Sequence, residues 1–251
     1  MMSAARMKPH KEIPAAEWEA RVDLAACYRL VAHYGMTDLP VTHISARVPG
    51  HPDHFLFTPA GLLFDEITAS NLVKVDMDCN PVEDSDYEVS RFGYVIHSAI
   101  LMGRPEINCV LHTHTIAGMA VSAQADGLLD LAQCSMRFHN RLGYHDCEGI
   151  PDDPEERSRL QASLGDNFAM VLRNHGLIAV GRSVVEAWMM NWCLEQACQV
   201  QIAAMSGGAK LAPAPPEVAE YTARQWARGN SLRQWPALLR QLDRIDPSYR
   251  E

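Results

Sequence analysis

The chain has 251 residues, long for one domain but within the range of a single α/β layer fold. Hydrophobic residues make up 47% and charged residues 21%, the balance of a globular protein that buries a full core. A net charge of −9 with no run of Lys or Arg argues against the basic face that a phosphate backbone requires, so no nucleic-acid partner is expected. The opening stretch MMSAARMKPHKEIPAAEW lacks an apolar core of signal-peptide length, and no window approaches a bilayer span. No membrane partner is therefore expected, and the expected location is the cytoplasm. The seven cysteines are scattered, odd in number and free of any CxxC pair, which reads as reduced thiols packed as small apolar groups.

In chain order, residues 14–34 carry helical periodicity, with Trp18, Val22, Ala25, Ala26 and Leu30 near one stripe and Gly35 as the stop. PVTHISARVP (40–49) and FLFT (55–58) read as short strands, with VPGHPDH as the hairpin turn between them. LVKVDMD follows as a third strand. Tyr94 to Leu101 reads as a helix, INCVLH as a strand, and Ile116 to Ala123 as another helix. GIPDDPEERSRLQASLG is a loop leading into a short helix. AMVLRNHGLIAVG is a pair of apolar β-rich runs around a tight Asn174-His175-Gly176 turn. Ser183-Val184-Val185-Glu186 has the form of a capping box, opening a long helix to about Met205 that is apolar nearly all round. The expected organisation is a domain over 1–210, then a Pro-rich linker and helical tail over 211–251. In that tail Trp235, Leu238, Leu239, Leu242 and Ile245 share a face that the same chain or a neighbouring subunit must cover.

Within INCVLHTHT, His112 and His114 stand two residues apart at the end of a strand. Strand residues i and i+2 point the same way, so both imidazoles can reach one cation. His175, beside a glycine at a hairpin tip, is the best third ligand. A single histidine in such a place is ordinarily a satisfied polar residue. An HxH at a strand end with a further histidine in a glycine turn shifts the reading to a metal site.

Four stretches carry a family resemblance: GMTDLPVTHISARV, FTPAGLLFDEITASNLVKVD, FGYVIHSAILMGRPEINCVLHTHT and NHGLIAVGRSVVEAW. In order and spacing, over roughly residues 17–206, they resemble the class II aldolase and adducin head-domain family. The resemblance implies a three-layer α/β/α sandwich on a largely antiparallel central sheet, and homotetramers with active sites between subunits. In the sugar-phosphate aldolases of that family, the histidines matching His112, His114 and His175 hold zinc. One divalent ion per subunit is therefore expected, zinc first, with Fe(II) and Mn(II) as alternatives.

The chain also departs from those aldolases. Their catalytic glutamate stands four residues before a helical histidine that matches His97, and here that place is Gly93, which cannot take up a proton. Their phosphate pocket matches Thr42-His43, Ala60-Gly61 and a third place near Ser90-Arg91, which points away from a sugar phosphate. His43, Arg91 or Arg137 is left to anchor a substrate carboxylate, against the ordinary reading of each arginine as a surface or intersubunit ion pair. Tyr144, His145 and His97 are the candidate acid/base groups, with His97 also readable as packing or orienting a neighbour. The expected function is a divalent-metal lyase, of aldolase or decarboxylase type. It would cleave a C–C bond next to a carbonyl or carboxylate in a small non-phosphorylated acid. An Fe(II) oxygenase on the same scaffold and a non-catalytic adducin-like assembly module are the alternatives.

Overall fold

The computed structural model describes residues 13–89, 91, 93–150, 153, 155–228 and 231–251. The opening stretch read for a signal peptide thus lies largely outside the described residues, and so does Ser90. The first helix, α1 (Ala15–His33), ends in a Schellman motif: Gly35 adopts φ +67° while Gly35 N and Met36 N donate to the carbonyls of Ala32 and Val31. Its buried face is broader than the expected stripe, running through Leu24 to Tyr28, Leu30 and Val31.

Strands β1 (His43–Val48) and β2 (His51–Phe57) form a hairpin whose turn is only Pro49-Gly50, with Gly50 at φ +79°. The sequence expectation that all of VPGHPDH is turn is corrected here. A register shift between Arg47 and Val48 keeps the polar His51–His54 run in the ladder, where its residues face solvent or pair with the next strand. The remaining elements are β3 (Val73–Asp76), α2 (Tyr94–Gly103), β4 (Cys109–Thr113), α3 (Ile116–Ser122), α4 (Gln133–Met136), β5 (Gly143–His145), α5 (Glu156–Leu164), β6 (Ala169–Leu172), β7 (Gly176–Gly181), α6 (Val184–Ser206), α7 (Pro216–Arg228) and α8 (Trp235–Ile245).

The strands build one seven-stranded sheet in the order β3-β2-β1-β4-β7-β6-β5. Every pair is antiparallel except β5 with β6. Strand alternation sends Ile44, Ala46, Cys109 and Leu111 to one face, where α1, α6 and α8 bury them with Tyr28 and Trp188. It sends Phe55, Phe57, Val110, Ile178 and Val180 to the other face, against Val95, Ile96 and Ile100 of α2 and Leu160 and Leu164 of α5. A third cluster joins α3, α4 and α6 to β6 and β7 through Val121, Phe138, Val171 and Leu194. The result is the expected α/β/α sandwich.

The capping of α6 differs in detail from the sequence reading. Ser183 Oγ accepts from Glu186 N, but the Glu186 carboxylate accepts from Arg182 N, one residue earlier than a capping box requires. The tail folds back on its own chain. Trp235 and Leu242 enter the α1 cluster, the Trp235 indole donates to Asp23 at 3.0 Å, and Ala69 N and Ser70 N donate to the carbonyls of Tyr249 and Glu251. Ile245, expected on the covered face, is 55% exposed. No helix among the described residues is long and apolar enough to cross a membrane.

Candidate metal centre

β4 lies between β1 and β7, so side chains at its C-terminal end meet the start of β1 on one side and the β6–β7 hairpin on the other. Asn174, at φ +57°, and His175 form the hairpin turn, and His175 N donates to Leu172 O at 3.1 Å. Gly176 follows because a Cβ there would collide with the Thr113 backbone. The hairpin thereby brings the ring of His175 onto the HxH pair. His112 Nε2 is 3.2 Å from His175 Nε2 and 2.8 Å from His114 Nε2, and the three ligand atoms all lie within 4.8 Å of one another.

Three mutually facing ring nitrogens cannot all satisfy one another by hydrogen bonding, because two of the rings already use their protons on the outer nitrogen. His112 Nδ1 donates to the Leu177 carbonyl at 2.9 Å, and His114 Nδ1 donates to Asp38 Oδ2 at 3.1 Å. These are the supports a metal-binding imidazole needs, and each leaves a bare Nε2 lone pair pointing inward. Two nitrogens bound tetrahedrally to one zinc stand about 3.3 Å apart, so the cluster needs only small shifts to hold such an ion. Burial, then the neighbouring imidazoles, holds the His112 ring well below the ordinary histidine range. Burial and His114 push His175 down to about 4. Both are therefore neutral at physiological pH, the form that binds a cation.

Two more histidines adjoin this cluster. His43 is the direct cross-strand partner of His112, and their rings lie 5.0 Å apart. His43 Nδ1 is 2.7 Å from His97 Nε2, and His97 Nδ1 is 2.5 Å from Ser45 Oγ. Burial keeps both rings well below the usual range, and the surrounding histidines add to this. His97 is fully buried with both nitrogens bonded, so it holds a neighbour rather than facing the three imidazoles directly.

The other sequence candidates are not among the three clustered ligands. Ala60 and Gly61 form an exposed turn after β2, with Gly61 at φ +83° and Ala60 N bonded to Glu88 O. Arg91 is exposed on the segment that continues from Glu88. Tyr144 and His145 are on β5, at the sheet edge, three strand spacings or roughly 14 Å from β4. Tyr144 Oη accepts from Leu128 N and its ring lies under Arg173, while the two nitrogens of His145 face Ser163 Oγ at 2.9 Å and Glu156 Oε1 at 3.2 Å. Neither residue is one of the three clustered ligands, although His145 O accepts from Arg173 N, two residues before His175. Arg137 stacks on Trp226 and donates to Cys193 Sγ. It lines a cavity of about 590 Å³ with Phe168, Val180 and Arg182, at the ends of β6 and β7 opposite the His175 hairpin.

Sequence reasoning missed Asp38, the pairing of Ser45 with His97, and the Leu177 carbonyl. Only Ser45 had a usable signal, its i+2 spacing from His43 in one strand. Thr42, just before His43, buries a hydroxyl with no hydrogen-bond partner among the described residues.

The model of the class II aldolase and adducin N-terminal domain matches residues 22–202. The chain belongs to that family. Among its relatives, a Pseudomonas aeruginosa protein that carries the provisional name of aldolase class 2 protein is 49% identical over 248 residues, 96% of this chain and 95% of the other. Alpha-adducin of Rattus norvegicus is 42% identical over 185 residues, which cover 72% of this chain and 25% of the adducin. The solved aldolase II superfamily protein from Pseudomonas syringae superposes with a TM-score of 0.92 at 50% identity, over 97% of this chain and 99% of that one. L-fuculose 1-phosphate aldolase from Glaciozyma antarctica superposes at 0.83 with 25% identity, over 94% of each chain. Family membership places the five histidines on a scaffold that serves both enzymes and adducins.

Proposed function

We propose that His112, His114 and His175 bind one divalent ion, zinc first, and that the protein is a metal-dependent lyase. The bond cleaved is a C–C bond next to the carbonyl or carboxylate of a small non-phosphorylated acid. The observation that carries this reading is the convergence of three Nε2 atoms, 2.8 and 3.2 Å between neighbours, two of them left bare by acceptors on the far ring nitrogen. When bound, a divalent ion in this setting supplies Lewis acidity at the end of β4. The chain's own residues supply the rest: Leu177 O and Asp38 orient the rings, and the buried wall of β1 and α2 limits water on one side. Position 93 carries no carboxylate, and a decarboxylation needs no base to begin, so that branch of lyase chemistry suits this site best.

The protein is further proposed to work in the cytoplasm as a homotetramer with sites between subunits. Leu39 and Ile116, next to Asp38 and close after His114, are 70% and 83% exposed, an apolar rim of the kind a neighbouring subunit covers. A second reading, an assembly module without chemistry, draws on the 42% identity to alpha-adducin. Elemental analysis of protein purified without a histidine tag or added metal separates the two. The lyase reading expects close to one zinc, iron or manganese per chain, lost in His112→Ala, and carbon dioxide or aldehyde release from hydroxy- or keto-acids without oxygen uptake. A metal-free tetramer of full stability would establish the assembly module, and oxygen-dependent turnover would establish an Fe(II) oxygenase.

A further inference from the structure

Gly93 stands against the imidazole of His43. It adopts φ +70°, and a Cβ built on it would fall upon His43 Nε2 and Cε1. Position 93 is thus closed to every side chain, and the imidazole of His43 fills the volume such a side chain would take. The ring is fixed from several sides. His112 lies beside it at 5.0 Å, Phe57 at 5.8 Å and His97 edge-on at 4.7 Å between ring centroids. Ser45 and His43, two apart on β1, both reach His97 on α2, so one helical imidazole is clamped by two same-face strand residues. This hydrogen-bonded chain runs Ser45 Oγ, His97, His43 and ends at His43 Nε2. That nitrogen makes no hydrogen bond among the described residues, and it is not one of the fully buried unpartnered atoms, so the little exposure His43 keeps includes it. A ring nitrogen left open on an otherwise packed imidazole is free to meet a ligand or water.

We propose that His43 is a ligand-contacting residue of the metal centre, its free Nε2 binding an oxygen of the small acid held there, with His97 and Ser45 as positioning residues. The inference rests on the metal reading given above and adds a group that the three imidazoles do not supply. A ring tied at Nδ1 presents Nε2 in one direction. Glycine at 93 leaves the room that this ring occupies.

The test uses the full chain loaded with Zn(II), with oxalate as the probe acid and both affinities read by calorimetry. His43→Phe keeps the ring volume and removes both nitrogens. The expected result is zinc affinity within about twofold of the original and oxalate binding weakened about tenfold, the loss of one hydrogen bond to a charged group. Ser45→Ala is expected to weaken oxalate about threefold, to leave zinc unchanged and to shift the ring nitrogen resonances of His97 and His43; Ser45→Thr restores all three. Unchanged oxalate affinity in His43→Phe with zinc bound normally would overturn the proposal. So would loss of zinc in a folded His43→Phe, which makes His43 part of the ion's own support. Should His43→Phe fail to fold, Ser45→Ala decides: no change in oxalate affinity overturns the proposal, and the partial loss with restored Ser45→Thr upholds it. Absence of zinc binding in the original protein would instead refute the metal reading itself.

Discussion

Asp38 offers the sharpest test of how the centre is supported. Its Oδ2 accepts from His114 Nδ1 at 3.1 Å, and its side chain is 45% exposed. Two effects are separable there. Asp38→Asn keeps an acceptor oxygen and removes only the charge. For a half-exposed pair, screening limits that loss to about 0.2–1 kcal/mol, or up to about fivefold in zinc affinity. Asp38→Ala removes the acceptor as well, so His114 loses the contact that sets its orientation and tautomer, and zinc affinity falls about 10–100-fold. His114→Ala removes a ligand and falls further still. The order of loss, Asn then Ala then His114→Ala, is measured by competition with a chromophoric chelator at fixed pH and salt. Equal affinity for the original protein and Asp38→Ala would show that the carboxylate does not orient His114. A loss in Asp38→Asn as large as in His114→Ala would show that the carboxylate itself is a ligand.

Glu17 is buried with Arg21 and Lys74, donors at 3.0 and 2.7 Å. Burial raises its pKa, but the hydrogen bonds from Lys74 and Arg21 outweigh this and leave it lowered. A carboxyl lowered on folding stabilises the fold above its unfolded pKa, and that stability is lost as pH falls through the folded value. Glu17→Ala should therefore cost about 3 kcal/mol in urea unfolding at pH 7, with Arg21 left less well paired, and should flatten the acid dependence of stability. Trp235→Ala should cost about 3–5 kcal/mol in a monomeric or oligomeric background alike, because its cover is α1 of its own chain. His145→Gln should leave zinc affinity within about twofold, because both ring nitrogens face Ser163 and Glu156.

The long elements were legible because their punctuation is local. The turn at Gly35 closes α1, with Gly35 N bonded to Ala32 O and Met36 N to Val31 O, and Ser183 opens α6 with its hydroxyl. β5 was not legible: three residues, paired only at the sheet edge, carry no period. Nor was α7, whose buried face is Ala219 and Ala223 rather than large apolar residues. The HxH pair could be read because strand alternation fixes the relation of i to i+2, and His175 because a glycine turn must follow an apolar strand. Asp38 and the clamp on His97 depend on which segments meet in three dimensions. The place of Tyr144 and His145 on an edge strand was likewise hidden, since the chain runs from β4 to the far edge before it returns through β6 and β7.

His43 opposes His112 only because β1 and β4 pair in one alignment, with Ile44 opposite Leu111 and Ser45 opposite Val110. Sliding that ladder by a single residue would swing Ile44 toward α2 and drive an imidazole into the oily layer beneath α1. Reactive and inert faces are thus two readings of one alternation, fixed together when the strands zip up. Damage anywhere along this seam should announce itself first as faulty cation uptake, before any loss of overall shape.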